Sequence, residues 1–170
     1  MQPQPIVILG GGGFIGANLA RRYVEAGRHV YAVDQHFPAF RRDALLGADL
    51  VRCDLRDRGA VATLASLFPG ALVFHLAADM GGVGYFHSDA DWPASLNNAR
   101  ITLNVAEAAG SAGVDRLVYA SSACACATEP ATDWTADDYG YYGNRLLHES
   151  DLYWGTPDAR YGQEKRNGAH

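Results

Sequence analysis

The chain has 170 residues, enough for one domain with a sizeable core. Hydrophobic residues make up 48% and charged residues 19%, a profile that excludes an intrinsically disordered chain. The formal net charge of -5 and the pI near 5.6 argue against a nucleic-acid partner, and no apolar run approaches the roughly 18 residues of a membrane helix.

The opening "MQPQPIVILGGGG" lacks the basic segment of a signal peptide. Three cysteines, an odd number, predict free thiols in a reducing compartment, hence a cytoplasmic protein. "CAC" at 124–126 has no second cysteine pair, so no metal site is expected.

Ile6 to Leu9 is a short aliphatic run ending in glycines and reads as a buried parallel strand. From Phe14 to Ala26, Ile15, Leu19, Ala20, Tyr23 and Val24 recur at helical spacing, and Gly27 is a stop signal. "HVYAVD" (29–34) predicts a second strand and "ADLVRCD" (48–54) a third, which would place Cys53 in the core. A short helix is expected over 61–68, ended by Pro69-Gly70, and a fourth strand over 71–78. A long helix fits 92–112, with Leu96, Ala99, Leu103, Ala106 and Ala109 on one face; "DRLVYASS" (115–122) predicts a fifth strand. Strands alternating with helices predict an α/β fold, a doubly wound parallel sheet of about five strands. Residues 123–170 read as irregular, ending in a partial helix, within a single domain spanning 1–170.

Gly10, Gly13 and Gly16 form G-x-x-G-x-x-G directly after a strand and before a helix. Glycine permits the tight turn and lets the main chain approach a pyrophosphate. The helix start behind it offers free N–H groups and partial positive charge. A purely structural turn is the alternative. Asp34 closes the second strand eighteen positions past Gly16, where a carboxylate can bond ribose hydroxyls and repel a 2′-phosphate. That favours NAD over NADP, although a strand-end cap would also place an aspartate there.

These segments resemble the short-chain dehydrogenase/reductase superfamily, and "GGGGFIGANLARRYVEAGRHVYAVD" resembles its extended branch, the NAD-dependent epimerases and dehydratases that act on nucleotide sugars. "HLAADMGGVGY" (75–85), "NNARITLNVAEAA" (97–109), "YASSAC" (119–124) and "YGQEK" (161–165) are similar to the GDP-mannose 3,5-epimerase family within it. The resemblance implies a Rossmann fold. It implies NAD contacts at Gly10, Gly13, Phe14, Ile15, Gly16, Asp34, Asp54, Leu55, Leu76, Ala77, Ala78 and Lys165. It also implies a GDP-mannose-like nucleotide-sugar substrate near Gly81, Gly82 and Ser122, and a homodimer through the 92–112 helix.

The chemistry that the resemblance implies centres on Ser122, Cys124, Tyr161 and Lys165. A free tyrosine titrates near about pH 10 and needs adjacent positive charge to act as a base at neutrality. Lys165 stands four residues on, one helical turn away. In the family's scheme the tyrosine takes the sugar 4-hydroxyl proton while hydride passes to NAD, and the 4-ketone acidifies the neighbouring C–H bonds. Protons are then removed and returned, and the stored hydride reduces the ketone. Cys124 stands at one of the two acid/base positions, where a small buried hydrophobe is the alternative reading. Ala123-Cys124 replaces the Asp-Glu pair of the 4,6-dehydratases. The pattern stops just after Lys165, so the substrate lobe of the family is expected to be absent.

Overall fold

The computed structural model describes residues 4–81, 91–122, 125 and 165–168. Backbone contacts divide the chain into two compact units, Met1–Met80 with Leu96–Ala120, and Gly81–Ser95 with Ser121–His170.

The first unit carries the sheet. Its strands are β1 (Ile6–Leu9), β2 (Val30–Asp34), β3 (Asp49–Arg52), β4 (Leu72–His75) and β5 (Arg116–Tyr119). They run in the order β3-β2-β1-β4-β5, and every pairing is parallel. Ile6 is in register with Val30 on one side and Leu72 on the other.

The apolar run of β1 needs no alternation because both faces are covered. Val7 and Leu9 join a core with Leu64, Phe68, Ile101 and Val105. Ile6 and Ile8 join the opposite core with Ala17, Ala20 and Leu45. Those partners come from α1 (Phe14–Glu25) and, for Leu45, the segment after β2 on one face, and from α2 (Arg58–Leu64), the turn after it that leads to Phe68, and α3 (Asp91–Ala112) on the other. The sheet is therefore doubly wound, as expected.

β2 to β5 are each shorter than the runs that predict them, and the elements differ from the sequence reading in three further places. α2 starts at Arg58 rather than Val61, because the Asp57 carboxylate caps it, accepting from Gly59 N at 2.8 Å and Ala60 N at 3.1 Å. A 3-10 helix over Ala39–Leu45 was not anticipated; it follows Pro38 and buries Leu45. The buried face of α3 is also not the expected one. Asn98, Ile101, Val105, Ala108 and Ala109 turn inward, whereas Leu96 and Leu103 are 40% and 69% exposed. Counting apolar residues alone missed the polar Asn98, which defines the inner face.

β5 is an edge strand among the described residues, and Leu117 and Val118, which point to opposite faces, are both about a third exposed.

Candidate functional site

Strand order reverses between β1 and β4, and ligands of open parallel sheets bind at such a point, beyond the carboxyl ends of the strands. The first unit has a cavity of ≈ 230 Å³ there. Its walls include Gly10 and Gly13 after β1, Asp34 at the end of β2, Asp54 and Leu55 after β3, and Leu76, Ala77 and Ala78 after β4. Eight of the residues expected to bind cofactor thus meet at one place.

Gly10 is at φ +89, and a Cβ there would stand 2.8 Å from Ala77 N and 2.9 Å from the Leu76 carbonyl carbon. Only glycine serves both demands. Gly16 does not line the cavity; a Cβ on it would meet the Gly10 carbonyl oxygen at 2.2 Å, so its absence lets α1 pack beneath the loop. Phe14 and Ile15, the first residues of α1, expose their side chains and do not line the cavity. What they can offer a ligand is backbone N–H.

The Asp34 carboxylate accepts from Gly12 N at 3.0 Å through Oδ2 and from His36 N at 3.0 Å through Oδ1. It therefore caps the strand end as the simpler reading held. It also lines the cavity, and each oxygen keeps a lone pair for a further donor. This is a fit for a ribose diol beside a glycine cradle that any Cβ would fill.

Sequence reasoning missed several lining residues. Gln35, Arg56 and Ile101 had no expected role, and Cys53, which packs against the core as expected, also reaches the cavity. Arg56 Nη2 lies 2.7 Å from Asp54 Oδ2, and Nε lies 2.9 Å from Oδ1. That hydrogen bonding holds the Asp54 carboxyl below its usual range. β3 stops at Arg52, so Cys53 is half-buried at the cavity wall; burial, then Asp54 and Asp57, push its thiol pKa up. It is thus a protonated thiol at neutral pH. A local signal existed for Arg56, two residues after the aspartate it clamps. None existed for Ile101, which arrives from α3.

Asp79 lines the cavity too. Asn98 clamps its backbone: Oδ1 accepts from Asp79 N at 2.6 Å, and Nδ2 donates to Asp79 O at 3.2 Å. Asn97 Nδ2 donates to the Asp79 carboxylate at 2.7 Å. Asn98 is 2% exposed. Asn98→Ala is expected to lower unfolding free energy by about 1–3 kcal/mol, since two main-chain groups lose their partner. Urea denaturation measures this; a loss below about 0.5 kcal/mol would mean water replaces the amide.

In the second unit, Lys165 lies in a helical stretch described over 165–167 and is buried. Its carbonyl accepts from Ser121 Oγ at 3.5 Å, and Arg166 Nε donates to Ala125 O at 3.1 Å. Ala125 N bonds Ser122 O at 3.0 Å. The serine segment and the lysine turn therefore pack together. Gly81 is exposed; Gly82, Cys124 and Tyr161 lie outside the described residues.

Among the described residues no three His, Cys, Asp or Glu side chains are grouped to hold a metal, and no helix is long and apolar enough to cross a membrane.

The model of the NAD dependent epimerase/dehydratase family matches residues 6–145. GDP-mannose 3,5-epimerase of Arabidopsis thaliana is 35% identical over 164 residues, which is 94% of this chain and 40% of that protein. The chain thus spans about 40% of the length of that relative. UDP-glucose 4-epimerase of Thermus thermophilus in complex with NAD has a TM-score of 0.73 at 24% identity, over 98% of this chain and 49% of its own. UDP-glucuronic acid 4-epimerase of Bacillus cereus, with UDP-glucuronic acid and NAD, scores 0.74 at 22% identity, over 98% and 50%. Those two likenesses establish the shared Rossmann-like fold.

Proposed function

The chain belongs to the NAD-dependent epimerase/dehydratase family, and we propose that it forms the NAD-binding part of a nucleotide-sugar epimerase of the GDP-mannose 3,5-epimerase type, working through a transient 4-keto sugar. The observation that carries the cofactor half is the cavity at the switch point, where Gly10, Gly13 and Asp34 converge. The sugar assignment is supported by the 35% identity over nearly the whole chain.

NAD, when bound, supplies the hydride acceptor and returns the hydride at the end. The chain's residues hold and orient it. The glycine loop lets the pyrophosphate reach the start of α1, where the N–H groups of Phe14 and Ile15 have no intrahelical acceptor. Asp34 accepts from the ribose hydroxyls. Asp54 and Leu55 flank the adenine, with Arg56 keeping Asp54 ionised. Leu76, Ala77 and Ala78 form the opposite wall.

Proton transfer falls to Tyr161, with Lys165 favouring its phenolate and Ser122 holding the same substrate hydroxyl. Cys124 is the proton donor or acceptor at the neighbouring carbon, and Gly81 and Gly82 bring main chain to the sugar. The exposed Leu96 and Leu103 support a homodimer through α3. A free Cys53 fits a cytoplasmic setting.

Calorimetric titration with NAD and NADP, followed by incubation with GDP-mannose, tests the reading. Saturable NAD binding, weaker NADP binding and epimerised product are expected. A folded chain that binds no NAD would sink it, and NAD binding without conversion would reduce it to a binding module.

A further inference from the structure

One helix reaches both of the loops that wall the cavity. Asn98, Ile101, Asn104 and Glu107 follow at three-residue steps along α3, a ridge that winds from its buried face toward solvent. Asn98 holds the main chain of Asp79, after β4. Ile101 lines the cavity itself. Asn104 Nδ2 donates to Leu55 O at 2.9 Å and to Arg56 O at 3.1 Å, after β3. Glu107 pairs with Arg58 at the start of α2.

The loop after β3 is shaped from within and placed from outside. Arg56 N donates to Asp54 Oδ1 at 3.0 Å, and Asp57 N donates to Asp54 O at 3.0 Å. Those bonds give the turn its form. The carbonyls of Leu55 and Arg56 go instead to α3, where one amide with two N–H groups serves both. Asn104 is half-buried, so water can satisfy those carbonyls at small cost. What water cannot supply is a fixed distance to α3. The buried Leu55 side chain also holds the loop, so loss of the amide shifts it rather than releasing it.

We propose that Asn104 is a positioning residue for the cofactor, one that touches no ligand and sets the gap between the loop at 54–56 and the loop at 76–79. This rests on the reading of the cavity as the NAD site. Asn98 fixes one wall and Asn104 the other, six residues and about 9 Å apart along one helix. The width of the cavity is thus set before NAD arrives, and little binding energy is spent on ordering its walls.

The test is NAD titration of the full chain with urea denaturation alongside, as wild type, Asn104→Ala, Asn104→Ser, Asn104→Asp and Glu107→Gln. Asn104→Ala is expected to weaken NAD binding about tenfold, the size of one hydrogen bond, while the denaturation midpoint falls little. Asn104→Asp should weaken it more than Asn104→Ala, because its carboxylate would face two carbonyl oxygens. Glu107→Gln cuts a tie of α3 that meets no cavity wall, and its NAD affinity should stay within about twofold of wild type. Wild-type NAD affinity in a folded Asn104→Ala would overturn the proposal. So would Asn104→Asp that binds as wild type does, or an equal loss in Glu107→Gln, which would make the effect a general loosening of α3. Asn104→Ser, shorter and still polar, is read in the same way should the alanine variant not fold. A wild type that binds no NAD sinks the cavity reading itself, an outcome distinct from those.

Discussion

Gly10→Ala is expected to abolish saturable NAD binding and to destabilise the fold, whereas Gly13→Ala should impair binding alone. The two glycines share the loop and differ in physics. Gly10 is at φ +89, a conformation that costs an L-residue about 1–3 kcal/mol. Its new methyl would stand 2.8 Å from the Ala77 nitrogen, so the end of β4 must move, and Leu76, Ala77 and Ala78 move with it. The cavity wall is then displaced with the turn. Gly13 has φ -74, and the nearest atom to its Cβ is the Gly10 carbonyl at 3.1 Å. A small adjustment accommodates that methyl, which then occupies space beside the loop. Denaturation midpoints with calorimetry on both variants separate the effects. Wild-type NAD affinity in Gly10→Ala would remove the glycine loop from the cofactor site.

The largest kinetic effect is expected at Tyr161. Tyr161→Phe should lower conversion of GDP-mannose by at least about a hundredfold, as loss of a positioned acid/base does, and leave NAD affinity within a few-fold. Lys165→Met should lower both, since the proposed function gives Lys165 a part in proton transfer and in holding the cofactor. Lys165 is buried, so urea denaturation of the variant separates a loss of fold from a loss of chemistry. Product formation and NAD titration on the two variants give the result. Conversion undiminished in Tyr161→Phe would take the phenol out of the reaction.

The fold was legible because its signals are local. Four consecutive aliphatic residues before glycines can hardly be anything but a buried strand at a tight turn, and β1 is that. Asp34 was legible for the same reason: a fixed distance separates it from the loop. What escaped was set by tertiary contact. The inner face of α3 was misread because Asn98, polar by type, is buried to hold Asp79. Cys53 packs against the core as expected, but its place at the cavity wall had no local signal. The 3-10 helix over Ala39–Leu45 had no signal at all, because no period in the sequence marks it.

The parallel order also governs how this chain emerges from the ribosome. β1 is made first, yet one of its two edges stays unpaired until Leu72–His75 has been synthesised. At ordinary elongation rates that interval is on the order of several seconds. Throughout it the nascent chain presents "IVIL" with one hydrogen-bonding edge open, and the closure that ends the wait spans a long loop, a slow step for any parallel sheet. Chaperone capture during translation is therefore expected to centre on residues 6–9 and to cease once β4 has cleared the exit tunnel.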